Sequence, residues 1–294
     1  MAGMDENMLA VIRALAENRI ADAKQKAILC CIKDDTKKNE MCVKRYKNLL
    51  INGNVNMIEL PLQLTGILNM QDVSDYREDR YYLGRLQTEV FHDIEKANNT
   101  LLKLLEYGIP YNNSTLLYGQ PGTGKTEFAK YVAYKLKLPY AYVNFSNLID
   151  SYMGKTSQNL QKIFDYCKGQ KCVLMLDEID CIGLQRGKSG GVDGELGRTT
   201  ITLIQMLDTL VDGQIVIGAT NREDRLDKAL LRRFQRKYKF EKYDGDEELK
   251  MMLKYMNSVD SEFIDDDIYE YATKGHTQAE TVNFMIKKII EKAA

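Results

Sequence analysis

The sequence predicts an α/β protein in which helices cover both faces of a parallel sheet, with a helical domain before it and a helical lid after it. From about Tyr81 onward, helical patterns alternate with short apolar runs, which is typical of a domain built on parallel strands. Before this point and after Tyr243 the patterns are helical only. We therefore expect an N-terminal helical domain over residues 1–75, an α/β domain over 76–243 and a small lid domain over 244–294.

The N-terminal residues carry two apolar patterns at the spacing of one helix face. The patterns consist of Met8, Val11, Ile12 and Leu15, then Ile20, Ala23, Ala27 and Cys30. The polar stretch 33–40 interrupts them, and a third short helix is predicted over 41–51. This part of the chain is therefore expected to be a small helical unit.

Strands and helices alternate through the α/β domain. Strands are predicted over 114–118, 140–144, 172–176 and 214–218, and helices over 88–107, 127–136, 158–167 and 199–209. The lid is predicted to contain helices over 246–256, 266–274 and 279–292. The Gly/Ser-rich segment 186–198 is expected to be an irregular connection.

Composition and charge narrow the function classes. The 41 basic and 42 acidic residues leave a net charge of −1, so there is no bulk attraction for nucleic acid or for anionic membranes. No apolar run approaches the roughly 20 residues that span a bilayer, and the N-terminus lacks a signal pattern. The six cysteines form no C-x-x-C pair, which favours reduced thiols over a metal site. We expect a cytoplasmic protein without a membrane partner.

Residues 119–126 form a phosphate-binding P-loop between a predicted strand and a predicted helix. Glycines let backbone N–H groups turn inward, the helix N-terminus attracts anions, and Lys125 is expected to contact the β- and γ-phosphates of ATP. The expected nucleotide contacts are Gly119, Gln120, Pro121, Gly122, Thr123, Gly124, Lys125, Thr126 and Glu127. A glycine turn that spells this pattern by chance is the alternative.

Two carboxylates follow the apolar run Val173–Leu176, as expected where a buried parallel strand enters an active site. Asp177 is predicted to bind Mg²⁺ together with the hydroxyl of Thr126. Glu178 is predicted to be the base that polarises the attacking water. Taken alone, the pair could equally be an exposed acidic loop, but its position after the P-loop favours the catalytic interpretation.

Asn221 follows the next predicted strand, Ile215–Ala219. Its amide can donate and accept at once, so it could contact both the γ-phosphate and the attacking water. A turn residue is an equally good interpretation of this asparagine by itself.

The P-loop, Leu-Asp-Glu-Ile-Asp at 176–180, Ala-Thr-Asn-Arg at 219–222 and Leu-Asp-Lys-Ala-Leu-Leu-Arg-Arg-Phe at 226–234 together resemble the AAA clade of AAA+ ATPases. The resemblance runs from about Tyr81 to the C-terminus. It implies that Asn221 is the sensor-1 residue and that Arg232 and Arg233 are arginine fingers acting on a neighbouring subunit. The two arginines are adjacent here, whereas the family commonly separates them, and Arg236 is a third candidate. A solvated basic face is the alternative.

Two further segments match the family in part. Tyr152, Met153 and Gly154 stand where the family carries its pore loop, although Tyr152 could instead pack in the core. In the lid, Gly275–Glu280 resembles the start of the nucleotide-facing helix, with Gln278 where the family has glycine. Thr277 and Glu280 also fit a capping box, which is a purely structural role.

The resemblance implies an ATP-hydrolysing motor that uses Mg²⁺, assembles as a homo-oligomer, expected to be a hexamer, and remodels a protein substrate. The N-terminal helices would then be an adaptor. A nucleotide-gated assembly switch that regulates a partner enzyme is the first alternative, and a nucleic-acid-handling AAA+ protein is the second. The aromatic pore loop and the balanced charge argue against nucleic acid. A metabolic P-loop kinase fits least, because Glu178 and the paired arginines suit hydrolysis in a ring.

Overall fold

The computed structural model describes residues 6–16, 20–34, 43, 46–47, 50, 60–109, 111–151, 155–168, 171–182, 193–210 and 214–293. The chain forms two compact units, Met1–Glu59 and Leu60–Ala294. None of the described helices is both long and apolar enough to cross a membrane.

The first unit contains helices α1 (Glu6–Ala16) and α2 (Ile20–Lys33), as the apolar spacing predicts. Small residues allow the two helices to approach, because Ala14 of α1 and Ala23 of α2 are both buried. Residues 43, 46–47 and 50 are helical, but most of the third predicted helix, 41–51, lies outside the described residues.

The second unit is built on a six-stranded sheet in the order β1-β3-β4-β5-β2-β6. The strands are β1 (Asn69–Gln71), β2 (Asn113–Tyr118), β3 (Tyr140–Asn144), β4 (Val173–Asp177), β5 (Ile215–Thr220) and β6 (Arg236–Lys239). β1 pairs antiparallel with β3, and the other pairings are parallel. The parallel arrangement brings the carboxyl ends of β2, β3, β4 and β5 to one edge of the sheet.

Helices cover both faces of this sheet. They are α3 (Arg85–Glu106), α4 (Lys125–Leu136), α5 (Phe145–Ser151), α6 (Thr156–Lys168), α7 (Asp193–Asp208) and the short α8 (Lys228–Leu231). In β4, Leu174 and Leu176 pack on the side of α6 and α7, whereas Val173 and Met175 pack on the side of α3 and α4. A central strand buried on both faces reads as a continuous apolar run, which is why the sequence reveals β4 clearly.

The lid contains α9 (Gly245–Val259), α10 (Asp266–Ala272) and α11 (Gln278–Ala293). It has a core of its own, formed by Met252, Met256, Ile268 and Met285. The predicted lid helices are confirmed, with ends that differ by a few residues. Their amphipathic pattern is clear because each helix buries one face against the other two.

Three features differ from the sequence prediction. β1 and β6 are additional strands at the edges of the sheet. β1 has only three residues, and β6 alternates half-buried residues with exposed lysines. Neither strand therefore carries an apolar run that the sequence could reveal. Because β1 joins the sheet, residues 69–71 belong to the second unit rather than to the helical N-terminus. Residues 193–198, expected to be irregular, begin α7, and residues 186–192 lie outside the described residues.

Candidate nucleotide-binding site

A cavity of about 880 Å³ opens at the carboxyl edge of the sheet, between the P-loop and the lid. It is large enough for a nucleotide, since small-molecule sites usually occupy roughly 300–1,000 Å³. Most of the predicted site residues line it: Pro121, Gly122, Thr123, Gly124, Lys125, Thr126, Glu127, Asp177, Glu178 and Asn221. The structure therefore brings together residues that lie up to 100 positions apart in the chain.

The P-loop has the backbone conformation that its glycines allow. Gly119, Gly122 and Gly124 adopt φ values of 134°, 79° and 82°, which residues with a Cβ rarely adopt. Space is also short at Gly119, where a Cβ would lie 2.2 Å from the carbonyl oxygen of Phe240. Thr123 closes the turn by donating from Oγ1 to the carbonyl oxygen of Gln120 at 2.8 Å. This loop leads directly into the N-terminus of α4, where anions are stabilised.

The ammonium of Lys125 folds back onto the loop. Nζ donates to the carbonyl oxygens of Gly119 at 2.9 Å and Gln120 at 2.8 Å. Burial lowers the pKa of Lys125 to about 8, and the nearby carboxylates of Asp177 and Asp180 oppose this shift. A phosphate that reaches Nζ would favour the charged form and compete with the two carbonyl oxygens.

Thr126 and Asp177 form the predicted metal-binding pair. The Thr126 hydroxyl donates to Oδ2 of Asp177 at 2.8 Å, and the Tyr142 hydroxyl donates to the same oxygen at 3.3 Å. Burial raises the pKa of Tyr142, so its hydroxyl remains a donor. One carboxylate and one hydroxyl at the mouth of a phosphate loop fit Mg²⁺, which is usually held by one or two protein oxygens, substrate phosphates and water. The described residues contain no larger cluster of metal ligands.

Glu178 sits in a strained position just after β4. Its φ of 57° places it in the left-handed region, and its N–H donates to Oδ1 of Asp177 at 3.0 Å. Such conformations cost about 1–3 kcal/mol and often occur at active sites. The carboxylate accepts a hydrogen bond from Nδ2 of Asn144 at 3.0 Å.

Asn144 is a site residue that the sequence analysis missed. It is the last residue of β3, and its register partner in β4 is Asp177. A polar residue at the carboxyl end of the neighbouring parallel strand was the signal available in the sequence.

Asn221 lies beyond the end of β5 and lines the cavity with an exposed side chain. The preceding residue anchors this turn, because the Thr220 hydroxyl donates to Oδ1 of Asp180 at 2.7 Å. The structure thus places Asn221 on the same side of the site as Asp177 and Glu178, as the strand order requires.

The three candidate arginines differ in their surroundings. Arg233 forms a two-point ion pair with Asp208, with Nε–Oδ1 at 3.0 Å and Nη2–Oδ2 at 3.2 Å. Arg236 is half-buried and donates to Thr115 Oγ1, to the carbonyl oxygen of Asp93 and to Asn113 Oδ1.

Arg232 is exposed, and its side chain makes no hydrogen bond or ion pair with any residue that the structure describes. None of the three arginines lines the cavity of its own chain. Of the three, Arg232 is therefore the one whose guanidinium has no partner among the described residues.

The lid contacts the P-loop directly at the start of α11. The backbone N–H of Ala279 donates to the carbonyl oxygen of Gly122 at 3.0 Å. Thr277 and Glu280 form the predicted capping box, in which the Thr277 N–H donates to Glu280 Oε2 at 2.7 Å and the Glu280 N–H donates to Thr277 Oγ1 at 3.3 Å. The cap fixes the end of the helix that faces the phosphate loop.

Glu248 of α9 fixes the same end of α11 from inside the lid. Its carboxylate is 1% exposed and accepts from the Thr281 hydroxyl at 2.8 Å. Nδ1 of His276 lies 3.2 Å from the same carboxylate oxygen, Oε1, and the His276 ring stacks on Tyr271 with centroids 3.8 Å apart.

An aromatic wall lines part of the same cavity. It is formed by Tyr76, Tyr81, Tyr82, Tyr243 and Tyr255, with Met251 beside them. Flat, mostly apolar side chains suit a nucleotide base better than they suit phosphates. The sequence analysis missed this wall, although two adjacent tyrosines just before α3 were a visible signal.

The predicted pore-loop residues Tyr152, Met153 and Gly154 lie outside the described residues. The flanking elements are α5, which ends at Ser151, and α6, which begins at Thr156. The prediction for this loop stays a prediction.

Comparison with known proteins agrees with this geometry. Residues 115–242 match the model of the ATPase family associated with various cellular activities (AAA). The peroxisomal ATPase PEX6 of Komagataella pastoris is 38% identical over 136 residues, covering 44% of this chain and 12% of that protein. PEX6 of Saccharomyces cerevisiae is 40% identical over 134 residues, covering 44% and 13%. PEX6 of Debaryomyces hansenii is 33% identical over 182 residues, covering 58% and 15%. The matched segment is thus a small part of these longer relatives.

Proposed function

The chain carries an AAA ATPase domain, and on this premise we propose that it is a Mg²⁺-dependent ATPase that works as a ring-forming protein remodeller. The observation that carries the proposal is the convergence of Lys125, Thr126, Asp177, Glu178 and Asn221 on one cavity. A chain that only bound nucleotide would need the P-loop but not a water-facing carboxylate beside it. We infer hydrolysis from this combination.

The P-loop binds the triphosphate through its backbone N–H groups and the N-terminus of α4. Lys125 leaves its loop carbonyls and contacts the β- and γ-phosphates, where its ammonium balances their charge. Thr126 and Asp177 would hold Mg²⁺, which would supply charge neutralisation on the phosphate oxygens.

Glu178 orients the attacking water and accepts its proton as the bond to the γ-phosphate forms. Asn144 holds the carboxylate of Glu178 in place through the 3.0 Å hydrogen bond. Asn221 contacts the γ-phosphate and the water from the end of β5, which fixes the line of attack.

Arg232 is the trans-acting finger in this proposal. Arg233 and Arg236 already use their guanidinium groups within their own chain. A guanidinium supplied by a neighbouring subunit stabilises charge on the transferring phosphoryl group. Subunits that share active sites head to tail form a ring when the rotation between neighbours closes, and we propose a hexamer of identical subunits.

We propose that the ring acts on polypeptide through a pore loop containing Tyr152, Met153 and Gly154. An aromatic ring beside a flexible thioether can grip an extended chain without reading its sequence. In this proposal the N-terminal helices choose the substrate, and their domain ends near residue 60, where the second unit begins. The balanced net charge favours a protein partner over nucleic acid, and we propose a cytoplasmic location.

The test of the shared site is a mixing experiment. Glu178→Gln subunits should bind ATP but hydrolyse it at least about 100-fold more slowly, because the water loses its base. Arg232→Ala subunits should also be inactive alone, yet mixing the two should restore part of the activity, since each mutant supplies what the other lacks.

Arg233→Ala is the matched control for the mixing experiment. It should keep most of its ATPase activity alone, because its guanidinium pairs with Asp208. Normal turnover by Glu178→Gln would remove Glu178 from its role, and lack of rescue at every mixing ratio would contradict the shared site.

Threading is tested separately with Tyr152→Ala. Loss of substrate processing while ATPase activity persists would support a remodelling motor. If Tyr152→Ala instead acts on its partner as the unchanged chain does, the result would favour the alternative, a nucleotide-gated assembly switch that regulates a partner enzyme.

A further inference from the structure

Among the described residues, three hydrogen-bond donors hold the carboxylate of Asp177. Oδ2 accepts from the Thr126 hydroxyl of α4 at 2.8 Å and from the Tyr142 hydroxyl of β3 at 3.3 Å. Oδ1 accepts from the backbone N–H of Glu178 at 3.0 Å. Thr126 is itself a proposed metal ligand, and Glu178 is the next residue in the chain. Tyr142 is therefore the donor that reaches the carboxylate from a neighbouring strand without another proposed role in the site.

Packing accounts for the ring of Tyr142 but not for its hydroxyl. The ring lies on the α3 and α4 side of the sheet and stacks on Tyr140, with ring centroids 6.2 Å apart and planes 28° apart. A phenylalanine ring would fill this space equally well, and it would carry no hydroxyl that must find a partner away from water. The hydroxyl therefore contributes through the group that it contacts, which is the metal-binding carboxylate.

Tyr140 shows the same side chain on the same strand without such a contact. It lies two residues before Tyr142, so both side chains project from one face of β3. Tyr140 is 0% exposed, and its hydroxyl has no hydrogen-bond partner among the described residues. Of these two tyrosines, only the one nearer the carboxyl end of the strand donates to Asp177, and this end is where the site lies.

Tyr142 also connects the metal carboxylate with the proposed base. Nδ2 of Asn144 donates to Glu178 Oε2 at 3.0 Å and to the Tyr142 hydroxyl oxygen at 3.5 Å. A hydroxyl can accept one hydrogen bond while it donates another, so Tyr142 accepts from Asn144 and donates to Asp177. Two side chains from one face of β3 thus hold the two carboxylates at the end of β4.

The orientation of a metal-binding carboxylate depends on such donors, because rotation of a carboxylate about its Cβ–Cγ bond is otherwise broad. Loss of a group that orients a metal ligand typically lowers metal affinity about 10- to 100-fold. The 3.3 Å separation is longer than the roughly 2.5–3.0 Å that is usual between two hydroxyl-type oxygens. We therefore expect an effect of the size of one ordinary hydrogen bond.

We propose that Tyr142 is a positioning residue whose hydroxyl fixes the orientation of the Asp177 carboxylate for Mg²⁺. This inference rests on the proposed Mg²⁺-dependent function. The role belongs to the hydroxyl alone, so Tyr142→Phe, which keeps the ring and its packing, should lose it. Tyr140→Phe is the matched control, because it removes a hydroxyl without a described partner from the same face of the same strand.

Titration calorimetry with the full chain measures this effect without hydrolysis when the ligand is the ATP analogue AMP-PNP. Each protein is titrated once in Mg²⁺ and once in EDTA, and the dissociation constant in EDTA is divided by that in Mg²⁺. We expect this ratio to be about 2- to 12-fold smaller in Tyr142→Phe than in the unchanged chain. The dissociation constant in EDTA should be unchanged, because the P-loop is not altered.

Tyr140→Phe should keep both values of the unchanged chain. An unchanged ratio in Tyr142→Phe would overturn the proposal. Equal weakening in Mg²⁺ and in EDTA would also overturn it, because that is the result of a merely structural role. Thermal unfolding without nucleotide checks that the variants fold, and Tyr142→Leu replaces Tyr142→Phe if the latter does not. Equal dissociation constants of the unchanged chain in Mg²⁺ and in EDTA would overturn the proposed Mg²⁺ site itself, and this contact with it.

Discussion

Gly119→Ala should destabilise the second unit through a single added methyl group. Gly119 connects β2 to the P-loop with φ at 134°, and a Cβ there would lie 2.2 Å from the carbonyl oxygen of Phe240. That oxygen cannot move freely, because the N–H of Phe240 donates to the carbonyl oxygen of Tyr118 at 2.7 Å and its ring packs on Phe128 with centroids 5.4 Å apart. The clash therefore reaches the end of β2 and the core beneath α4.

Two costs add at this position. Holding alanine at a φ of 134°, which lies outside the left-handed helical region, costs about 1–3 kcal/mol. Overpacking against fixed neighbours costs typically about 1–3 kcal/mol. We therefore expect the free energy of unfolding to fall by about 2–6 kcal/mol, a large part of the roughly 5–15 kcal/mol of a typical domain.

Gly108→Ala is the matched control, since Gly108 has φ at 70° but no atom within 4 Å of the added Cβ. Its free energy of unfolding should fall only by the cost of the left-handed backbone conformation, about 1–2 kcal/mol. Urea unfolding followed by circular dichroism measures both variants, and ADP affinity should fall only in Gly119→Ala, whose loop is displaced. Equal losses in the two variants would refute the argument from the contact with Phe240.

Three further predictions concern the charged and polar groups of the site. Burial lowers the pKa of Lys125 to about 8, and phosphate binds the charged ammonium. The titration of Lys125 should therefore leave ATP affinity unchanged below that pH and lower it by about tenfold per pH unit above it. Titrations of Lys125→Arg, which stays charged, should lack this fall. Arg236→Ala should lower the free energy of unfolding, measured in urea, by about 2–4 kcal/mol, because the buried partners of Arg236 lose their donor. Arg232 is exposed, so Arg232→Ala should change this free energy by no more than about 0.5 kcal/mol. Equal losses in the two variants would contradict the assignment of Arg236 as structural and Arg232 as the exposed finger. Asn144→Ala should lower kcat about tenfold with little change in KM, since Glu178 loses its hydrogen-bond donor; an unchanged kcat would remove Asn144 from this role.

The central strands and the P-loop were predictable because their signals are local. β3 was predicted at its observed ends, and β4 within one residue, since strands buried on both faces read as apolar runs. The P-loop glycines were predictable for a similar reason, because the conformation depends on residue type at each position. The capping box at Thr277 and Glu280 was also visible, as its two partners lie three residues apart.

The edge strands were not predictable from pattern. β1 is short and β6 places exposed lysines between half-buried residues, so their pairing depends on neighbours that are distant in sequence. For the same reason the sequence could not place residues 69–71 in the sheet. Long-range pairing overrides weak local preference at the edges of a sheet.

The amino-acid sequence by itself determined the order of the chemical groups: a phosphate loop, a metal carboxylate with its neighbouring base, an asparagine and paired arginines, each after its own strand or helix. The tertiary structure decided how those groups are used. Only the packing shows that Arg233 is paired with Asp208 while Arg232 is exposed, that Asn144 holds Glu178, and that Tyr142 donates to the metal carboxylate. The physical reason is that a residue type fixes which bonds a side chain can make, whereas only the fold fixes which partners lie within 3 Å of it.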